Sequence, residues 1–155
     1  MQTATCCFIG HREIEETEEL REKLWGIIET LITQKGVDTF LFGSKSGFNS
    51  LCHSMVSEIK EKYPHIKRIY VRAEYPYISD RYREYLLEDY EDTYFPSRVL
   101  GAGRASYVER NYEMIDSSSY TVFYYKEKSA PTKRKSGTKI ALDYATVRKK
   151  VIIKL

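Results

Sequence analysis

At 155 residues the chain is long enough for one domain with a buried core, and 42% hydrophobic and 30% charged residues are ordinary for a globular protein. A net charge of +3 is too small to argue for nucleic acid by itself, and no apolar run approaches the ~20 residues of a membrane-spanning helix. Met1 to Ile9 carries no basic segment ahead of its apolar stretch, so no signal peptide is read there. The three cysteines are an odd number, and Cys6 and Cys7 are strand neighbours pointing to opposite faces, so no disulfide framework is expected. Cys52 and the scattered His11, His53 and His65 give no zinc spacing, and neither a metal nor a cofactor is expected. The expected compartment is the cytoplasm.

Thr5 to Ile9 reads as a first strand ended by Gly10, with Gly10-His11-Arg12 at its C-terminal end. A helix follows from about Glu15 to Lys35, with Leu20, Leu24, Ile27, Ile28, Leu31 and Ile32 on one face. Acidic residues crowd its start and Gly36 ends it. Thr39 to Phe42 is a short apolar strand that runs into Gly43-Ser44-Lys45-Ser46-Gly47. Phe48, Leu51, Met55 and Ile59 then recur at helical spacing. Free N–H groups at such a helix start favour an anion, and glycines let a phosphate approach the backbone. The string is neither a Walker A loop nor G-x-G-x-x-G.

Tyr63-Pro64 closes the second helix, and Ile66 to Val71 is a third strand, giving the β-α-β-α-β order of a parallel sheet. Residues 72–104 interleave Tyr75, Tyr77, Tyr82, Tyr85, Tyr90 and Tyr94 with charges, and only Arg81 to Asp89 reads as a short helix. This stretch is expected to be a tyrosine-rich, lid-like insertion over a ligand cleft, or else a segment packed on the sheet edge. Ala105 to Asp116 is a helix with Val108, Tyr112 and Ile115 inward, and Ser119 to Tyr125 is a fourth strand. After a basic loop, Gly137-Thr138 opens a last helix, and Val151 to Ile153 is the final strand. The expectation is a single α/β domain over residues 1–155, a Rossmann-like αβα sandwich on a mostly parallel sheet of five strands or slightly more.

Gly10-His11-Arg12, Gly43 to Gly47 and Ser136-Gly137-Thr138 each follow a predicted parallel strand, so all three fall on the C-terminal edge, where open α/β sheets bind ligands. Glycine loops at helix starts beside Arg12 suit a phosphate-bearing ligand. Lys45 and Lys133-Arg134-Lys135 add charge there, and His11 is placed to orient a ribose or move a proton.

The ordered blocks Cys7-Phe8-Ile9-Gly10-His11-Arg12, Phe42-Gly43-Ser44-Lys45-Ser46-Gly47-Phe48-Asn49, Tyr63-Pro64-His65-Ile66-Lys67, Asp89 to Pro96 and Arg110 to Asp116 carry a resemblance. Together they resemble the bacterial YpsA-like branch of the SLOG superfamily. That branch is similar to the lonely-guy (LOG) phosphoribohydrolases and to the Rossmann-like part of DNA-processing protein A. The resemblance implies a parallel αβα sandwich that binds a nucleotide or a derivative such as NAD or ADP-ribose. It implies ligand contacts at Gly10, His11, Arg12, Gly43, Ser44, Gly47, Asn49, Arg110, Asn111, Asp116, Gly137 and Thr138. Relatives in this class often dimerise, so a homodimer is expected.

Two departures bear on chemistry. The family often has Asp where this chain has Asn49, and Gly or Asn where it has Ser44. LOG enzymes carry a catalytic Glu in P-G-G-x-G-T-x-x-E, and this chain keeps Gly137-Thr138 but has Ala141 at the Glu position. A methyl group cannot act as acid or base, so the leading expectation is a protein that senses or sequesters a nucleotide-derived ligand. The alternative is a nucleotide N-glycosidase taking its carboxylate from Glu74, Asp80, Glu84 or Asp92, or from Glu109 or Asp116. A third reading, single-stranded nucleic-acid binding through the Tyr/Arg-rich middle, is the least supported by the modest charge.

Overall fold

A computed structural model describes residues 3–44, 46–126 and 136–155. Six strands form one open sheet: β1 (Ala4–Gly10), β2 (Val37–Phe42), β3 (Lys67–Val71), β4 (Asp92–Tyr94), β5 (Tyr120–Tyr124) and β6 (Val151–Lys154). Their order is β4-β3-β2-β1-β5-β6 and every pairing is parallel. The chain steps outward from β1 to β4, then recrosses to place β5 beside β1, so the strand order reverses between β1 and β5. In sheets of this kind the crevice at that reversal is where ligands bind.

Among the described residues five α-helices flank the sheet: α1 (Glu18–Lys35), α2 (Gly47–Lys62), α3 (Asp80–Leu86), α4 (Ser106–Asp116) and α5 (Gly137–Val147). Alternation along the strands divides the core. Cys6 and Phe8 join Phe40, Phe42, Leu24, Ile28 and Phe48 under α1 and α2. Cys7 and Ile9 join Leu41, Phe123, Met114, Ile115 and Ala141 under α4 and α5. The Rossmann-like αβα sandwich is therefore as expected, with one strand beyond five. Among the described residues no helix is long and apolar enough to cross a membrane.

Local chemistry sets the element ends. Helix α1 begins at Glu18 rather than Glu15 because Thr17 caps it, its Oγ1 accepting from the Leu20 N–H at 3.1 Å. It ends at Gly36, whose φ of 68° is the left-handed conformation that glycine adopts without strain.

Part of the 72–104 stretch lies on the sheet edge as β4. Three residues, Asp92-Thr93-Tyr94, are too few for a periodic pattern, which is why the strand escapes sequence reading. A fork holds it in place. Arg68 donates from Nε to Glu91 Oε1 at 3.0 Å and from Nη2 to Glu91 Oε2 at 2.7 Å, and the Arg68 N–H also donates to Glu91 Oε1. Burial pushes the Glu91 carboxyl up, but these hydrogen bonds outweigh it and hold it below the ordinary carboxylate range. A lowered folded-state pKa stabilises the fold at pH values above the unfolded pKa, about 4.3, and that contribution is lost as pH falls through the folded value. Urea melts at pH 7 and 3.5 should show that loss, and Glu91→Gln should reduce the difference between the two while costing roughly 1–3 kcal/mol at pH 7.

All three thiols are buried and unpaired. Burial raises each above its usual value, Cys7 to about 12. A thiol reagent at pH 8 should therefore leave the native protein unmodified and titrate three groups in denaturant. Fast labelling of the native state would contradict this burial.

Candidate functional site

The loops after β1 and β2 lie against each other at the C-terminal edge, and glycines permit the contact. A Cβ on Gly10 would fall 2.4 Å from a ring carbon of Phe48, and one on Gly47 would fall 2.5 Å from the Arg12 carbonyl oxygen. The Gly47 N–H donates to the Arg12 carbonyl at 2.7 Å, and the Phe48 N–H donates to the His11 carbonyl at 3.3 Å. The first two donors of α2 are thus engaged within the protein rather than presented to an anion. Asn49 is buried and its Oδ1 accepts from the Gly43 N–H at 3.2 Å, so it holds the loop from within. An Asp at this position would offer the same acceptor. Ser44 Oγ donates to Ser46 Oγ at 2.9 Å.

The charge of the site comes from α4. Arg110 is 6% exposed and passes under the β2–α2 loop, where a Cβ on Gly43 would meet its Cδ and Nε at 2.7 Å. Its Nε donates to Asn111 Oδ1 at 3.0 Å and its guanidinium lies 5.5 Å from the Tyr107 ring. Among the described residues no carboxylate lies within ion-pair distance of Arg110, and its two terminal nitrogens make no hydrogen bond. No fully buried polar atom lacks a partner among the described residues, so those nitrogens reach the surface. Burial lowers the Arg110 pKa, and nearby Tyr70, Tyr107 and Glu74 oppose the shift. Tyr107 donates its hydroxyl to Glu74 and also feels the charge of Arg12. Arg12, Glu74, Tyr107 and Arg110 are therefore gathered beyond the ends of β1, β2 and β3.

Arg72, just past β3, is a second buried arginine among the described residues without a carboxylate in ion-pair range. It donates from Nε to the Tyr75 carbonyl at 3.2 Å and from Nη1 to Thr93 Oγ1 at 3.1 Å, and burial lowers its pKa.

Across the strand reversal, His11 Nε2 accepts from the Lys126 N–H at 2.8 Å, tying the β1 loop to the end of β5. At the start of α5 the Ser136 Oγ accepts from the Lys139 N–H at 3.1 Å, Thr138 is buried, and Gly137 faces open space. Lys45 and Lys133-Arg134-Lys135 lie outside the described residues. Ala141 is 1% exposed and packs in the core under α5, so a carboxylate at that position would be buried among apolar groups.

The carboxylates of α4 face an ion-pair network. Arg98 donates to Glu109 at 3.1 Å and to Asp116 at 2.8 Å, and the Tyr144 hydroxyl donates to Asp116 at 2.6 Å. Burial raises the Asp116 pKa, but the Tyr144 and Arg98 hydrogen bonds outweigh it and lower the pKa overall. Asp116 ends α4, the helix end away from Tyr107 and Arg110. Of the carboxylates weighed in residues 72–104, Glu74 is the one in contact with Tyr107; Asp80 and Glu84 lie on α3 and Asp92 on β4. Tyr107 and Arg72 were not anticipated. The signal for Tyr107 is its place three residues before Arg110, on the same helix face.

An open groove of about 470 Å³ runs beside Arg12, Ile14, Gly47 and Ser50. It shares Arg12 and Gly47 with the predicted set. The buried charge, which is costlier to leave unmatched than a polar groove, lies instead at Arg110.

No family model matches the chain, and no curated protein sequence matches it. Fold and site define its class: an α/β protein with one open, fully parallel six-stranded sheet and a cationic cluster at the C-terminal edge.

Proposed function

We propose that the protein binds a nucleotide or nucleotide-derived ligand at the C-terminal edge of the sheet, as a cytoplasmic sensor or sequestering protein of the YpsA-like SLOG type. The observation that carries this reading is Arg110, a buried guanidinium against Gly43 that has no carboxylate in reach among the described residues and whose terminal nitrogens make no hydrogen bond there. Burying an unpaired charge costs stability, and an anion from solution supplies the missing partner. A phosphate accepts two parallel hydrogen bonds from such a fork. Ala141, packed in the core where LOG enzymes carry their Glu, supports binding over LOG-type hydrolysis.

The test is a thermal-shift screen against nucleoside phosphates, NAD, ADP-ribose and cyclic dinucleotides. A ligand at ~100 times its dissociation constant adds about 2.7 kcal/mol, which moves the melting point of a domain this size by roughly 5–11 °C. No shift with any of them at millimolar concentration would remove the reading.

A further inference from the structure

We propose that Glu74, held by Tyr107, reads the sugar hydroxyls of the ligand whose phosphate Arg110 receives, so that the site prefers a ribonucleotide to its 2′,3′-dideoxy counterpart. This rests on the nucleotide reading above. An ionised carboxylate only accepts hydrogen bonds, and so does a phosphate at neutral pH. Glu74 therefore repels a phosphoryl group, and its natural partner at such a site is a hydroxyl.

Ion pairing does not explain its position. Among the described residues no lysine or arginine lies within ion-pair distance of Glu74, and its hydrogen bond comes from the Tyr107 hydroxyl. That bond leaves most of the acceptor capacity of the carboxylate open. The Tyr107 ring in turn lies beside the Arg110 guanidinium at 5.5 Å. One phenol thus sets the distance between an anion-seeking cation and a donor-seeking carboxylate. A nucleotide offers both complements, a 5′-phosphate for the guanidinium and ribose hydroxyls for the carboxylate.

The turn that carries Glu74 is held under strain. Tyr75 has a φ of 60°, the left-handed region that a residue with a bulky side chain rarely enters. The Arg72 guanidinium keeps it there by donating to the Tyr75 carbonyl at 3.2 Å. Strain of this kind persists where the surroundings over-determine a conformation, and it is common at ligand clamps. Here it fixes the residue next to Glu74.

The test is isothermal titration of the full chain with ADP and with 2′,3′-dideoxy-ADP. The wild type should bind ADP about tenfold tighter or more, the loss expected when a charged acceptor is left without its hydroxyl. Glu74→Ala should erase that ratio by weakening ADP, leaving the dideoxy nucleotide as tight as before or tighter. Tyr107→Phe should reduce the ratio partway, and Arg110→Met should weaken both nucleotides alike. Glu74 and Tyr107 are exposed, so circular dichroism should show an unchanged fold in both variants. Equal binding of the two nucleotides by the wild type, or a ratio that survives Glu74→Ala, overturns the assignment and leaves the nucleotide reading standing. Binding of neither nucleotide overturns the assignment as well, while the nucleotide reading then stands or falls with the thermal-shift screen.

Discussion

Arg110→Met should make the ligand-free protein more stable and remove its affinity for anions. Methionine keeps the apolar stem that packs against Gly43 but deletes a guanidinium that no carboxylate balances among the described residues. Replacing a buried ionic group by a well-packed apolar one is neutral or stabilising by about 1–4 kcal/mol. Here the lost contacts are one hydrogen bond to Asn111 and the approach to the Tyr107 ring, each worth about 1 kcal/mol. The net expectation is a gain of up to about 2 kcal/mol, read from urea melts without ligand. Binding should move the other way. Truncating one partner of a buried charge pair costs about 2–5 kcal/mol, so affinity for a nucleotide should fall roughly 30-fold or more. A variant that is less stable and binds as well as the wild type would make Arg110 a structural residue and leave the site without its anchor.

Gly10→Ala should be the most damaging single-methyl addition at the edge. The new Cβ would fall within 2.4–2.7 Å of Phe48 Cβ, Cγ and Cδ2. Phe48 cannot swing aside, because its ring is fully buried and packed between Phe8 and Tyr124. Helix α2 must shift instead, and with it the hydrogen bonds from Gly47 and Phe48 to the β1 loop. Overpacking of this kind costs about 1–3 kcal/mol, and straining two loop hydrogen bonds raises the expected cost to about 3 kcal/mol. At roughly 2–4 °C per kcal/mol, the melting temperature should drop by about 6–12 °C. Gly137→Ala is the matched control. Among the described residues no heavy atom lies within 4 Å of its Cβ position, and α5 begins there. Reducing the freedom of the unfolded chain should then stabilise by about 0.4–1 kcal/mol. Equal effects at the two positions would contradict the close contact between the β1 loop and α2.

Much of the architecture is written in short-range pattern. The apolar runs at Cys6 to Ile9, Phe40 to Phe42 and Val122 to Tyr124 mark three adjacent central strands of the sheet. Thr17 and Gly36 bound α1 through contacts that reach no more than a few residues along the chain. The alternation of Cys6 and Cys7 between opposite cores follows from the two-residue period of a strand. Likewise the gathering of the Gly10, Gly43 and Gly137 loops on one edge needs only the parallel order of the elements.

Other features depend on partners distant in the chain. Asp92-Thr93-Tyr94 is a strand because β3 offers it an edge and Arg68 grips Glu91, and nothing in three residues encodes that. The glycine loops read as open cradles for phosphate, whereas Gly47 and Phe48 donate to carbonyls more than thirty residues earlier in the chain. Only the family resemblance singles out Arg110 as a ligand contact, and no local pattern marks it as buried. Its burial is decided where α4 meets the loop after β2, a contact between segments far apart in sequence. The sequence by itself determined five of the six described strands and the edge that carries the polar loops, because hydrophobic period and capping act over a few residues. Only the tertiary structure decided which donors stay open and which charge is left without a partner, because desolvation depends on everything that packs around a group.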